Sequence, residues 1–323
     1  MLPGARQQAA QTMARPVQRA TPPMYFFCLG SAKSGTTWLY HYLRAHPQCH
    51  VRGYKELHFF DMIENARYQQ SPAPINSRLA ALDASVARRE VALSKAKTAN
   101  RARLASELLD AKDYRHAVAT CQRDPNAYFK YMMAGLKKEQ MVADITPDYA
   151  HLSPDTLRMM VGVANETRFL FLMRDPVARF WSHVRMDAKG SLPEGADFAA
   201  HAKAVLAEAM KGDKGTQNVP MGHSQYERTL RKMQEALPED RRLVMFYEDL
   251  MTPLGLRRLC NFLNIKPLLT EFERPVRAGK KAELSVEETA ALRRLLRPEY
   301  EYVAAHFPDL PDAWKASMAE GFA

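Results

Sequence analysis

No run of 18 apolar residues occurs in the 323-residue chain, so no segment is expected to cross a membrane as a helix. Residues 1–23 contain no acid and no apolar stretch of signal-peptide length, so no secretory signal is expected there. A loose tail is expected there; Arg6, Arg15 and Arg19 leave an organellar presequence as the alternative. Cysteine is sparse: Cys28, Cys49, Cys121 and Cys260 are scattered with no C-x-x-C pair, which excludes a disulfide framework and points away from a zinc site. No internal repeat or low-complexity run is present. A cytoplasmic setting is the expectation these absences leave.

What is present suits a globular chain. Hydrophobic residues make up 46% and charged residues 25%, enough for one large α/β domain or two small ones. The net charge of +10 fits a polyanionic partner: nucleic acid, a membrane surface or a multiply charged cofactor. From Arg78 to Arg123 there are ten Lys/Arg and five Asp/Glu, so half of the excess lies in one segment. Ser77–Lys112 lacks Gly and Pro and spaces its leucines by three and four, which predicts a long helix or helical hairpin with a weak point near Thr98-Ala-Asn100.

The chain is organised around Tyr25-Phe-Phe-Cys-Leu-Gly-Ser-Ala-Lys-Ser-Gly-Thr-Thr-Trp38. Met24–Leu29 predicts a buried strand, Ser31–Gly35 a tight polar turn, and Thr36 onward a helix with Trp38, Leu39, Tyr42 and Leu43 on its apolar side. Such a strand–loop–helix aims backbone N–H groups and the positive end of a helix dipole at one point, where an anion, above all a phosphate, belongs. Gly30 and Gly35 keep the glycine separation of a phosphate loop of the G-x-x-x-x-G-K-[ST] type, but the lysine is Lys33, two residues before the second glycine rather than after it. A kinase-type phosphate loop is therefore the runner-up, and a non-catalytic polyanion-binding protein a third reading.

Arg168–Met173 is the clearest buried strand and fits a parallel sheet covered on both faces. It leads into Arg174-Asp-Pro176 and a helix, and ligands bind at such strand ends in open α/β sheets. Arg174 there can grip phosphate in two-pronged fashion and Ser182 can add a hydroxyl, or Arg174 can pair with Asp175. Arg242–Tyr247 is a further strand. Ser153-Pro and Ser285-Val-Glu-Glu288 mark helix starts, and Phe198–Met210 is a helix-like patch in a Gly- and Pro-bearing excursion. The last helix is expected to run to about Arg297, with Pro298 kinking or restarting it before Tyr300 to His306. In Lys55-Glu-Leu-His-Phe-Phe-Asp61, either Phe59 and Phe60 merely plug the core, or Glu56 or His58 serves as a base.

Together, Lys33-Ser-Gly-Thr-Thr-Trp38 and Arg174-Asp-Pro-Val-Ala-Arg-Phe-Trp-Ser182 resemble the 5′-phosphosulfate and 3′-phosphate motifs of the sulfotransferases that use 3′-phosphoadenosine 5′-phosphosulfate. Lys55–Asp61, Thr146-Pro-Asp-Tyr149 and Phe246-Tyr-Glu-Asp-Leu250 are similar to blocks of the heparan-sulfate and related bacterial branch. The resemblance implies an α/β fold, a P-loop-type parallel sheet flanked by helices, in one domain over 24–310. It has no counterpart for a helical insertion over about 76–123, and 311–323 is expected as a tail. It implies transfer of a sulfuryl group to a hydroxyl or amine of a small-molecule, glycan or lipid acceptor, with no metal and no nucleic acid required. A homodimer stays open. Lys33 would stand at the leaving oxygen, and Ser34, Gly35, Thr36 and Thr37 would cradle the 5′-phosphate. Trp38 would lie against the adenine or simply pack in the core. Arg174 and Ser182 would hold the 3′-phosphate, and Gly279 and Lys280 would join from a late loop. Glu56 would be the base, with His58 the alternative. The branch often has a lysine before Thr-Pro; here Ile145 stands there, so that cation is missing.

Overall fold

The computed structural model describes residues 23–124, 126–211, 219–268 and 282–322. In chain order it forms β1 (Met24–Gly30), α1 (Thr36–Ala45), β2 (Cys49–Val51), α2 (Phe59–Tyr68), α3 (Ala73–Ser94), α4 (Thr98–Thr120), α5 (Ala127–Met133) and β3 (Met141–Ile145). Then come α6 (Pro154–Val161), β4 (Thr167–Met173), α7 (Pro176–Gly190), α8 (Phe198–Met210), α9 (Tyr226–Ala236) and β5 (Arg242–Phe246). The chain closes with α10 (Pro253–Leu263), α11 (Val286–His306) and α12 (Asp312–Ala319). The strands make one parallel sheet in the order β2-β3-β1-β4-β5. Met24 to Cys28 of β1 pair in register with Met141 to Ile145 of β3. Every residue of β1 and β3 is buried, Asp144 of β3 included, as expected of strands covered on both faces. The α/β expectation holds.

Packing groups the described residues into two units. The first holds the chain up to Cys28 together with Tyr40–Phe169. Its core gathers Phe27, Phe59, Phe60, Tyr128 and Tyr149, whose rings meet in stacked and edge-on pairs. The expected helical insertion is a hairpin in this unit. Its helices α3 and α4 lie antiparallel, with Asp83–Arg115 at 2.6 Å and Glu90–Lys112 at 2.7 Å between them. The break falls at 95–97, just ahead of the predicted weak point.

The second unit holds Leu29–Leu39 and the chain from Leu170 onward. Its N-caps follow the predicted chemistry: Ser285 and Glu288 complete a reciprocal capping box on α11. In the first unit Ser153 caps α6 through the Thr156 N–H, with Pro154 at the first helical position. Two expectations are corrected in the second unit. Pro298 does not restart the last helix: α11 runs unbroken from Val286 to His306, with Tyr300, Tyr302 and Val303 beyond the proline buried. The expected tail over 311–323 contains α12, whose Trp314 is fully buried against Tyr226, Phe246 and Tyr300. Among the described residues no helix is long and apolar enough to cross a membrane.

Candidate functional site

The loop after β1 is built from within the second unit. Ser31 donates its N–H to the Leu172 carbonyl of β4 at 2.7 Å, and its hydroxyl lies 2.7 Å from that of Ser34. Both serines are buried. Lys33 and Gly35 take left-handed φ values of 70° and 87°. At Gly35 a side chain is excluded twice over, since a Cβ would stand 2.7 Å from Cδ2 of Tyr247. Thr36 then opens α1, whose first turn carries no acid and whose first N–H groups have no acceptor within the helix. Thr36 and Trp38 are buried and Thr37 half-buried. Burial of Trp38 fits the core-packing account of that ring. The Lys33 ammonium donates to Met186 Sδ of α7 at 3.5 Å.

Arg174 sits where β4 ends. Its Nη1 donates to the Lys33 carbonyl at 3.2 Å, and its guanidinium carbon lies 5.0 Å from the centroid of the Tyr247 ring. The alternative pairing with Asp175 does not form. Asp175 instead caps α7 through the Ala178 N–H at 2.8 Å and accepts from the Tyr300 hydroxyl at 2.7 Å. Tyr226 fixes the Arg174 backbone, its hydroxyl donating to the Arg174 carbonyl at 2.7 Å. Ser182 lies half-buried on α7, and the buried Arg179 is between the two on the same motif. Arg185 follows, its basicity lowered by burial and then by the Arg174 charge. Burial pushes the Asp187 carboxyl up, against the pull of Lys33 and Arg179. Thus the structure brings Lys33, Ser34, Gly35, Thr36 and Arg174 into one constellation in this unit. Gly279 and Lys280 lie outside the described residues.

Glu56 and His58 belong to the first unit, where both also take left-handed φ, 62° and 55°. Of the five non-glycine residues with positive φ among those described, three are therefore Lys33, Glu56 and His58, and strained backbone of this kind collects at functional sites. The segment is held from two sides. The Leu57 N–H donates to Thr146 Oγ1 at 3.0 Å and the Phe59 N–H to the Tyr149 hydroxyl at 3.1 Å. Thr146 and Tyr149 in turn donate to the buried Asp144, whose carboxyl burial pushes up and hydrogen bonds draw back. From the hairpin, Arg78 donates to the Glu56 carbonyl at 2.7 Å and the Leu57 carbonyl at 3.0 Å, and the Tyr114 hydroxyl donates to Leu57 as well.

The Glu56 carboxylate, whose side chain is 40% exposed, pairs with the Lys55 ammonium. A cation thus stands beside Glu56 although Ile145 occupies the position before Thr-Pro. A small hollow beside Glu56 is lined also by Tyr40, Arg52, Tyr54 and Lys55. His58 Nδ1 lies 2.8 Å from Asp61 and 3.6 Å from Asp148. Burial draws the imidazole down, but Asp61 and then Asp148 outweigh it and raise its basicity.

Sequence reasoning missed four of these residues: Tyr247, Arg179, Arg78 and Tyr114. The first two sit inside blocks already singled out, Phe246–Leu250 and Arg174–Ser182. No local signal marks Arg78 or Tyr114, because only the docking of the hairpin brings them to Glu56.

Comparison with known proteins matches residues 23–269, more than half of the chain, to the model of the Sulfotransferase family. No curated protein matches by sequence. Among solved structures, the sulfotransferase from Alicyclobacillus acidocaldarius superposes with a TM-score of 0.58 at 18% identity, covering 93% of this chain and 100% of that one. The sulfotransferase domain from the curacin biosynthetic pathway gives 0.46 at 18% identity, over 90% of this chain and 100% of that domain. The sulfotransferase domain from the Synechococcus PCC 7002 olefin synthase gives 0.45 at 15% identity, over 92% and 99%. The family model supports the family and the Alicyclobacillus structure the fold, and neither singles out the heparan-sulfate branch.

Proposed function

The chain belongs to the sulfotransferase family, and from that premise we propose that it moves a sulfuryl group from 3′-phosphoadenosine 5′-phosphosulfate to a hydroxyl or amine of a small-molecule acceptor. The observation that carries the choice of donor is the Arg174–Lys33 contact, which ties the mid-chain motif to the loop after β1. The residues present fit a doubly charged nucleotide. Arg174 makes no ion pair among the described residues, and the first turn of α1 carries no acid.

In this reading Ser34, Gly35, Thr36 and Thr37 cradle the 5′-phosphate and Trp38 backs them. Arg174 and Ser182 take the 3′-phosphate, with Gly279 and Lys280 assigned to cofactor binding. When bound, the donor supplies a sulfuryl group attached to a phosphate that leaves readily. Lys33 stabilises the negative charge that grows at the leaving oxygen, so most of the catalysis is positioning and charge stabilisation, as in phosphoryl transfer.

Glu56 takes the proton of the acceptor. His58 is the poorer base, because Asp61 and Asp148 favour its protonated form. The Lys55 ammonium pairs with the Glu56 carboxylate and orients it.

Calorimetry with 3′,5′-adenosine bisphosphate tests the donor. Tight binding without magnesium, and none of ATP, is expected; binding of magnesium-ATP in its place sinks the proposal.

A further inference from the structure

Arg179 is the most completely buried cation described, with no exposed surface, on the face of α7 behind the loop that follows β1. Its guanidinium reaches Ala32 O at 3.4 Å, Ser224 Oγ at 2.6 Å, His183 Nδ1 at 3.3 Å, and the Pro220 carbonyl. None of these acceptors carries a formal negative charge. Arg179 makes no ion pair among the described residues, and its buried Nε has no partner. Burial pulls its basicity down to about 10, with a further push from Arg174 and against the opposing pulls of Tyr226 and the more distant Asp187 carboxylate. A buried charge without a counter-ion is costly, and a neutral donor could serve the same carbonyls at lower cost. The charge itself therefore calls for an explanation. The contact with Ala32, the residue before Lys33, points to one.

We infer that Arg179 is a positioning residue for the donor nucleotide: it holds the loop through the Ala32 carbonyl and supplies, from beneath, a fixed positive charge that makes no ion pair among the described residues and gains a close counter-charge when the loop carries a phosphate. This rests on the nucleotide reading given above and deepens it. The loop meets the phosphate with its N–H groups, while the arginine behind it lends charge at short range in a poorly polarisable interior, where screening by water is weak. Because the guanidinium is already fixed by its four contacts, no side chain has to be ordered when the nucleotide arrives.

Titration calorimetry with 3′,5′-adenosine bisphosphate, run on the full chain at a temperature where circular dichroism shows each variant folded, tests the inference. Arg179→Gln, which keeps an amide donor but no charge, is expected to weaken binding on the order of tenfold or more. Arg179→Lys, which keeps the charge but not the fork, is expected to recover most of the loss. Ser224→Ala, which removes one contact and leaves the charge, is expected to bind as the wild type does. Wild-type affinity in Arg179→Gln overturns the inference. So does a lysine variant as weak as the glutamine one, or a Ser224→Ala loss of equal size, since either makes Arg179 a hydrogen-bonding hub. Unfolding of Arg179→Gln at 20 °C counts against it in the same way. Failure of the wild type to bind the nucleotide is a separate outcome, which removes the donor reading itself and the inference with it.

Discussion

Arg174 and Lys33 are tied by a hydrogen bond from the guanidinium of the first to the main-chain carbonyl of the second, at 3.2 Å. The arginine at the end of β4 and the loop at the end of β1 are thus parts of one structure in the second unit. The ring of Tyr247 completes it, lying under the Arg174 guanidinium and filling the space that Gly35 leaves by having no side chain. An arginine held by a carbonyl and a ring keeps part of its fork for a ligand and loses little freedom on binding one.

Lys33→Ala is expected to cost on the order of 10²–10³ in turnover, the scale seen when one preorganised donor to a developing charge is removed. Affinity for 3′,5′-adenosine bisphosphate should fall far less, since the loop amides and Arg174 remain. Transfer of label from a sulfate-labelled donor into a metabolite extract measures the first, and calorimetry the second. Near-normal transfer by the variant removes Lys33 from the leaving group.

Gly35→Ala sets a methyl against the Tyr247 ring at a φ of 87°. The strain and the clash together should cost about 1–3 kcal/mol of stability, and moving the ring should loosen Arg174. A lower thermal midpoint together with weaker nucleotide binding is expected. A variant as stable as the wild type means that the loop and Tyr247 part more easily than their packing implies.

How much of this was legible in the sequence depended on whether a feature is local. β1 and β4 stood out because parallel strands buried on both faces read as unbroken apolar runs. The Ser285 capping box and the span Phe198–Met210 follow from spacing alone. Lys33 and Arg174 were legible as residues, but their contact, at a separation of 141 positions, was not. Arg179 looks in sequence like any arginine on a helix; its burial is set by the Pro220 carbonyl and the Ser224 hydroxyl packed over it. Pro298 and Trp314 were misjudged for a related reason, because the helix-breaking tendency of one and the terminal position of the other yield to tertiary burial.

His58 gives the stability a pH dependence of known sign. Its raised basicity means that the folded state binds the proton more tightly than the unfolded chain does. The Asp61 and Asp148 contacts therefore contribute fully below the ordinary histidine value of about 6.5, and the contribution disappears as the pH rises through the higher folded value. Replacing His58 by Gln should lower the denaturant midpoint at about pH 5.5, by an amount worth about 1 kcal/mol or less, and leave it nearly unchanged at about pH 9. A larger loss at the higher pH contradicts the assigned direction.

Glu56 and its supports make the last case. Glu56→Gln keeps the shape of the side chain and removes the carboxylate, so transfer should fall on the order of 10²-fold or more while nucleotide binding stays intact. Tyr114→Phe removes one hydroxyl, which donates to the Leu57 carbonyl from the hairpin side, and leaves the ring packing in place. The left-handed backbone at Glu56 and His58 persists only while its surroundings hold it. Loss of that bond should therefore speed hydrogen exchange at the Leu57 and Phe59 N–H groups, and it should lower transfer without changing nucleotide affinity. Transfer by Tyr114→Phe should fall less than by Glu56→Gln, and the phenylalanine change should add little in the Glu56→Gln background, because both act through one carboxylate. If the two losses instead multiply in the double variant, the hairpin acts on transfer by a route other than Glu56.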